Sequence, residues 1–319
     1  MTKKIFSSLL MLMTLFILSA QADATHKKTD ATFDYKLKAT KVSDNVWCFL
    51  GALEEPNKTN AGNMVNTCYV KTNDSFVIID SGPSYQYAKQ AYAVMSKIQK
   101  LPVKTLITTH DHDDHWLGNS FYKEKFNAQI IGPKYINDNY KEGDKTRMFN
   151  VLSENAIRGT KIVKVDKTPS KTYTFNVGGE EFEMIPVSVK AHTPEDFFVY
   201  MPKRKVLFAG DLAMNGRITS NRHGSLLGQL KAIEMMKSKD YKVFVPGHGF
   251  NTSKTAMNDA EKYFTLLHQR IVKALEDDVE LSELSEVITM SEFKDRAMFN
   301  ALNGRNVEDA FTEIELVSE

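Results

Sequence analysis

Thr109-His110-Asp111-His112-Asp113-Asp114-His115-Trp116 is the segment on which the reading of this chain turns. Three of the chain's eight histidines fall within six positions there, directly after an apolar strand predicted over Val103 to Thr108. A solvated polar loop has no need of so dense a set of imidazoles. Neutral imidazole and carboxylate are ligands suited to zinc. On a tight turn His110 and His112 project the same way, and Asp114 and His115 reach a neighbouring point. One turn therefore feeds two adjacent metal positions, and it cannot close both. Further ligands stand at the ends of later apolar runs, each beside Gly or Pro: His192 in Ala191-His192-Thr193-Pro194, Asp211 in Phe208-Ala209-Gly210-Asp211, and His248 in Pro246-Gly247-His248-Gly249. Strand ends of this kind are where loops present functional groups from a rigid scaffold.

Outward from that segment, Val46 to Leu50 and Asn66 to Lys71 read as strands around a polar loop. Phe76 to Asp80 is a short apolar run of the kind buried on both faces. Ser81-Gly82-Pro83 breaks it, and Ser84 to Gln99 has helical spacing. Gln129 to Ile131 is a further strand, and Tyr135 to Leu152 is expected to be mostly helix. From Lys161 the texture changes to hairpins: Thr172 to Asn176 and Glu181 to Pro186 flank Gly178-Gly179, and Phe197 to Met201 and Val206 to Ala209 flank Pro202 to Lys205. Val243 to Val245 is the last strand. Thr252 to Leu275 reads as a long amphipathic helix, and Leu281 to Ser318 continues mostly helical. Two groups of strands, each followed by helices, predict two packed sheets with helices outside, in one α/β domain. The length of 319 residues and 42% hydrophobic content suffice for one sizeable core. A formal net charge of +1 provides no basic footprint for nucleic acid.

With Asp80 in Ile79-Asp80-Ser81-Gly82 added, the motifs run in the order Asp80, His110 to His115, His192, Asp211, His248. In that order the chain resembles the metallo-β-lactamase superfamily, over roughly Lys41 to Asn251. The resemblance implies a four-layer αββα sandwich over residues 41–251, with C-terminal helices over 252–319 packed on the same domain. It also implies that His110, His112 and His192 hold one zinc ion, that Asp114, His115 and His248 hold a second, and that Asp211 places one oxygen on each. Asp80 would orient the ligand turn by hydrogen bonds. Two such metals share and acidify a water, and the resulting hydroxide attacks the substrate; Asp114 or Asp211 would carry a proton during turnover. Iron or manganese are the alternative metals. The full ligand set is similar to that of glyoxalase II-like thioesterases, lactonases and related binuclear hydrolases acting on small molecules. Many metallo-β-lactamases carry Cys or Ser at the position of Asp211, yet β-lactam hydrolysis stands as an alternative, and a mononuclear-iron persulfide dioxygenase on the same scaffold as another. Asn215-Gly216-Arg217 through Arg305-Asn306-Val307 resembles, more loosely, exported members associated with sulfur oxidation. Ala191 and Glu195 replace glycines common in the family; Glu195 and Asp196 either place negative charge near the metals and disfavour an anionic substrate or, the favoured expectation, bond the loop's own amides. Arg217, Asn221 and Arg222, with His223, are candidates for recognising a substrate carboxylate, Arg being suited to bidentate contacts.

The chain opens with Lys3 and Lys4, an apolar run from Ile5 to Leu18, and the small residues Ala20, Ala22 and Ala24. This pattern predicts a cleaved secretory leader over 1–22 and a flexible segment over 23–40, hence an exported, periplasmic or secreted protein without a stable membrane anchor. Loss of the leader removes Lys3 and Lys4 and no acid, so the net charge passes from +1 to −1. Cys48 and Cys68 lie on two neighbouring predicted strands. Export permits a disulfide between them, and two buried thiols are the equal alternative.

Overall fold

A computed structural model describes residues 31–318; the predicted leader lies outside the described residues. Six strands form the first sheet in sequence order: β1 (Thr40–Ser43), β2 (Val46–Phe49), β3 (Thr67–Lys71), β4 (Phe76–Ile79), β5 (Val103–Ile107) and β6 (Gln129–Ile131). β1 to β4 run antiparallel, and β5 and β6 continue parallel to β4. The second sheet has the order β11-β10-β9-β8-β7, with β7 (Tyr173–Val177), β8 (Glu180–Pro186), β9 (Phe197–Met201), β10 (Val206–Phe208) and β11 (Val243–Val245).

Alternation along the strands builds the layers. Val77 and Ile79 of β4 face Val199, Phe208 and Val245 of the other sheet in a core between the two. Phe76 and Ile78, their neighbours in sequence, turn the other way, onto helix α1 (Tyr85–Ile98) through Tyr87, Ala91 and Met95. Phe198 and Leu207 likewise leave the central layer and pack on helices α7 (Leu226–Lys237), α8 (Asn258–Glu276) and α10 (Phe299–Ser318). Because successive strand residues point to opposite faces, strands buried on both sides need uninterrupted apolar runs. The result is helix, sheet, sheet, helix, as expected, and the C-terminal helices complete the outer layer of the second sheet.

Four readings of the sequence are refined. Tyr135 to Leu152 is not mostly helix: α4 (Lys134–Asn139) and α5 (Arg147–Val151) are separated by a loop, and α6 (Glu154–Ile157) follows. The long helix α8 begins at Asn258 rather than Thr252, because Ser253 forms a bridge with Val243 instead. In the described part of segment 23–40, one residue is anchored in the core. Tyr35 is buried, its hydroxyl meets Ala61 and Ser84, and its ring lies edge-on to Tyr87. Cys48 and Cys68, directly opposite one another in β2 and β3, are joined as a disulfide. Among the described residues no helix is long and apolar enough to cross a membrane.

The disulfide closes a loop of 20 residues, which in the chain-entropy description stabilises the fold by about 3 kcal/mol. Reduction, or a Cys48→Ala/Cys68→Ala double variant, is expected to lower the denaturant midpoint by a corresponding amount without loss of native secondary structure. An unchanged midpoint would show that the bridge contributes nothing.

Candidate metal centre

The two sheets bring the ligand candidates to one edge of the sandwich. His110 follows β5, and His112 caps the short helix α2 (Asp113–Trp116), which carries Asp114 and His115. His192 lies in the connection between β8 and β9, Asp211 in the 3-10 turn Gly210–Leu212 after β10, and His248 just past β11. All but His112 are at least nine-tenths buried.

His110, His112, His192 and Asp211 form one group and Asp114, His115 and His248 another, each with its ligand atoms within 4.8 Å of one another. Asp211 touches both. Its Oδ2 lies 3.3 Å from Nε2 of His192 and of His248 and 3.7 Å from Nε2 of His110, and its Oδ1 lies 3.3 Å from Nε2 of His115. Asp114 Oδ2 lies 3.7 Å from His115 Nε2 and 3.6 Å from His248 Nε2.

Hydrogen bonds behind the rings aim the free nitrogens inward. Asp80 accepts from the Thr109 amide and hydroxyl, both at 2.9 Å, and from His115 Nδ1 at 2.8 Å. With its proton committed to Asp80, the Thr109 hydroxyl accepts from His110 Nδ1 at 3.1 Å, which leaves the lone pair on Nε2. His248 Nδ1 donates to the Met64 carbonyl at 2.6 Å, with the same result. Among the described residues, His110 Nε2, His115 Nε2 and Asp211 Oδ1 are then buried without a hydrogen-bond partner. Orphaned acceptors of this kind are costly unless something fills the space between them. The set fits divalent metal, since each orphan is an imidazole nitrogen or a carboxylate oxygen facing a common point.

Charge follows the same logic. Burial holds His110 and His112 well below the usual imidazole range, reinforced by neighbouring imidazoles. Burial alone would raise Asp114, but His115 and Arg147 outweigh it and hold the carboxyl at about 2. Burial would lower His115 and His192 as well, but the Asp211 carboxylate outweighs it and raises both, so an ion bound there would displace protons from those rings. Tight packing fixes the approach: a Cβ on Gly247 would lie 2.0 Å from Asp211 Oδ1, so only glycine fits beneath that ligand.

The centre forms the floor of a cavity of about 350 Å³. Arg217 and Arg222 line it, Arg217 buried and Arg222 exposed. Asn221, the third candidate for substrate contact, is not among its lining residues. Its amide N–H is tied to Asn306 Oδ1 and its side chain is buried toward a neighbouring groove formed with the C-terminal helix. His223 reaches the first group, its Nδ1 lying 3.2 Å from His112 Nε2. Asp196 accepts from the Thr193 amide and hydroxyl and so bonds its own loop as expected, whereas Glu195 accepts from the Tyr135 amide in the first turn of α4. Arg147, absent from the sequence reading, lines the cavity and pairs with Asp113 and Asp114 at 3.1 Å. Asn66, also unforeseen, binds the carbonyls of Pro246 and Gly249 and so braces the His248 loop.

The profile described as "Metallo-beta-lactamase superfamily" matches residues 61–248. The chain belongs to that superfamily, a family of metal-dependent hydrolases. The curated hydroxyacylglutathione hydrolase of Brucella ovis is 31% identical over 126 residues, 39% of this chain and 40% of that protein. The chain thus aligns with about two fifths of the length of the curated relatives it matches. Among solved structures, a metallo-β-lactamase from Pontibacter korlensis superposes with a TM-score of 0.55 at 24% identity, over 72% of this chain and 99% of that one. A stereoselective inverting sec-alkylsulfatase from Pseudomonas sp. superposes with a TM-score of 0.59 at 14% identity, over 79% and 45%. At these identities the structural likenesses concern the fold alone.

Asp80 is the hinge of the ligand turn, so Asp80→Ala is expected to weaken metal binding by roughly 10–100-fold, the range seen when such outer partners are removed. Competition with a chromophoric chelator measures it, and unaltered affinity would deny Asp80 that part.

Proposed function

We propose that this chain is an exported binuclear zinc hydrolase of small molecules, acting on an ester, thioester, lactone or amide-type bond. The observation that carries the reading is the convergence of seven imidazole and carboxylate side chains on two adjacent points, with Asp211 shared between them. His110, His112 and His192 would hold one ion, Asp114, His115 and His248 the other, and Asp211 both. Two bound divalent ions supply an acidified water and a Lewis acid for the scissile carbonyl. The protein's own contribution is orientation, exclusion of bulk water from the floor of the cavity, and proton handling at the carboxylate oxygens of Asp114 and Asp211.

The walls indicate what the substrate carries. Among the described residues, Arg217 Nε is buried without a partner, and Nη1 meets His248 Nδ1 alone, at 3.4 Å. That nitrogen already donates to Met64, so it offers the guanidinium no acceptor. A buried cation lacking an acceptor favours a ligand that brings an anionic group, and Arg222 stands at the rim to assist. The partial likeness to a thioester hydrolase supports a thioester among the bond types. The Cys48–Cys68 disulfide supports export, since such bonds persist in oxidising compartments.

Steady-state turnover of thioester, lactone, ester and β-lactam panels by zinc-loaded and chelated protein tests the reading, alongside metal analysis. About two zinc per chain and chelator-sensitive hydrolysis are expected. About one iron per chain with persulfide oxidation would replace the reading with a dioxygenase. Asp211→Asn is expected to lose at least one metal equivalent and most turnover; full retention of both ions would count against the shared-ligand assignment. Arg217→Gln is expected to reduce kcat/KM about tenfold or more for a carboxylate-bearing substrate, and less for its uncharged carboxamide analogue. Equal effects on the two would deny it an anion-binding role.

A further inference from the structure

Among the described residues, Arg147 is the one cation of the cavity wall that hydrogen-bonds a carboxylate of the metal-ligand set. Its Nε and Nη2 take Asp113 Oδ1 at 3.3 and 3.1 Å, and Nη2 also takes Asp114 Oδ1 at 3.1 Å. The Met148 amide donates to Asp113 Oδ2 at 2.8 Å. Asp113 therefore anchors the start of α5 to α2, and the guanidinium fork bridges two consecutive carboxylates. Among the described residues Arg147 is the sole hydrogen-bond donor to Asp114. The bond divides that carboxylate: Oδ1 is held by Arg147, and Oδ2 is left facing His115 and His248.

We propose that Arg147 is a positioning residue for the second metal position, holding Asp114 by one oxygen so that only the other can ligate. The inference rests on the binuclear reading above. Without the fork, Asp114 is free to turn about its terminal torsion or to present both oxygens, and the second position loses its preset geometry. A planar fork spans two carboxylates where a point charge cannot. The arrangement also ties a wall of the cavity to the metal floor, because Tyr140, Thr146 and Arg147 line the cavity on the segment that Asp113 clamps. Half of the Arg147 side chain is exposed, so replacing it removes little buried packing.

The test is a chelator-competition titration of zinc into wild-type protein, Arg147→Gln, Arg147→Lys and, as a marker for the second step, Asp114→Asn. Arg147→Gln is expected to weaken the step that Asp114→Asn abolishes by roughly 10–100-fold, and to leave the other step within about twofold. Arg147→Lys is expected to recover only part of the loss. Two unchanged steps in Arg147→Gln overturn the proposal, as does equal weakening of both; full recovery by lysine overturns the role of the fork. Wild-type protein that binds one ion only overturns the binuclear reading and this inference together. If the second step moves as expected but no panel substrate is turned over, the inference stands and the hydrolase reading alone fails.

Discussion

One carboxylate, Asp80, holds the ligand turn in register with the sheet. It sits at the end of β4 with a left-handed backbone (φ 52°), a conformation that aspartate tolerates better than most residues. That twist turns its side chain toward the neighbouring strand end, where it accepts the Thr109 amide, the Thr109 hydroxyl and His115 Nδ1. Through Thr109 the constraint passes to His110, and through His115 it passes to the second group. A displacement of this one side chain would therefore disturb both groups of candidate ligands at once. The remainder of the centre is assembled against that fixed point.

The fold makes the assembly feasible by bringing distant segments to one rim. Parallel neighbours β4 and β5 end side by side, and the second sheet contributes the turns after β8, β10 and β11. Three apolar layers, one between the sheets and one under each helical face, keep those strand ends from moving independently. Bracing from outside the ligand set completes the frame: Asn66 ties the His248 loop to the β3 end, and Met64 fixes the ring of His248 through its carbonyl. The carboxylates and imidazoles are thereby kept in a desolvated pocket that mutual repulsion would otherwise open.

Much of this was legible in the chain. Strands buried on both faces announce themselves as short apolar runs, and a polar residue placed after such a run beside glycine or proline has few structural uses. That logic located His192, Asp211 and His248 as well as the dense turn from His110 to His115. It did not reach Arg147, because an ion pair between residues 33 and 34 positions apart leaves no local pattern. The helical reading of Tyr135 to Leu152 also hid the loop that delivers it. The setting of Asn221 was hidden for a related reason: its backbone amide is fixed by Asn306, 85 residues away. The disulfide needed strand register, since adjacency of β2 and β3 alone does not put Cys48 opposite Cys68. Tyr35 was concealed by its Lys-rich surroundings.

The candidate centre occupies one rim of the sandwich, and the opposite rim is built of turns. The turns at Thr72 to Ser75, Gly178-Gly179 and Pro202 to Lys205 begin the very strands whose other ends lead to Asp80, His192 and Asp211. The first two are stitched together by the Asn73 amide and the Gly178 carbonyl. A fluorophore, a tether to a solid support or an inserted peptide placed at Lys203 would sit at the opposite end of β10 from Asp211, with the apolar layers as insulation. This architecture thus separates the face available for attachment from the face reserved for chemistry.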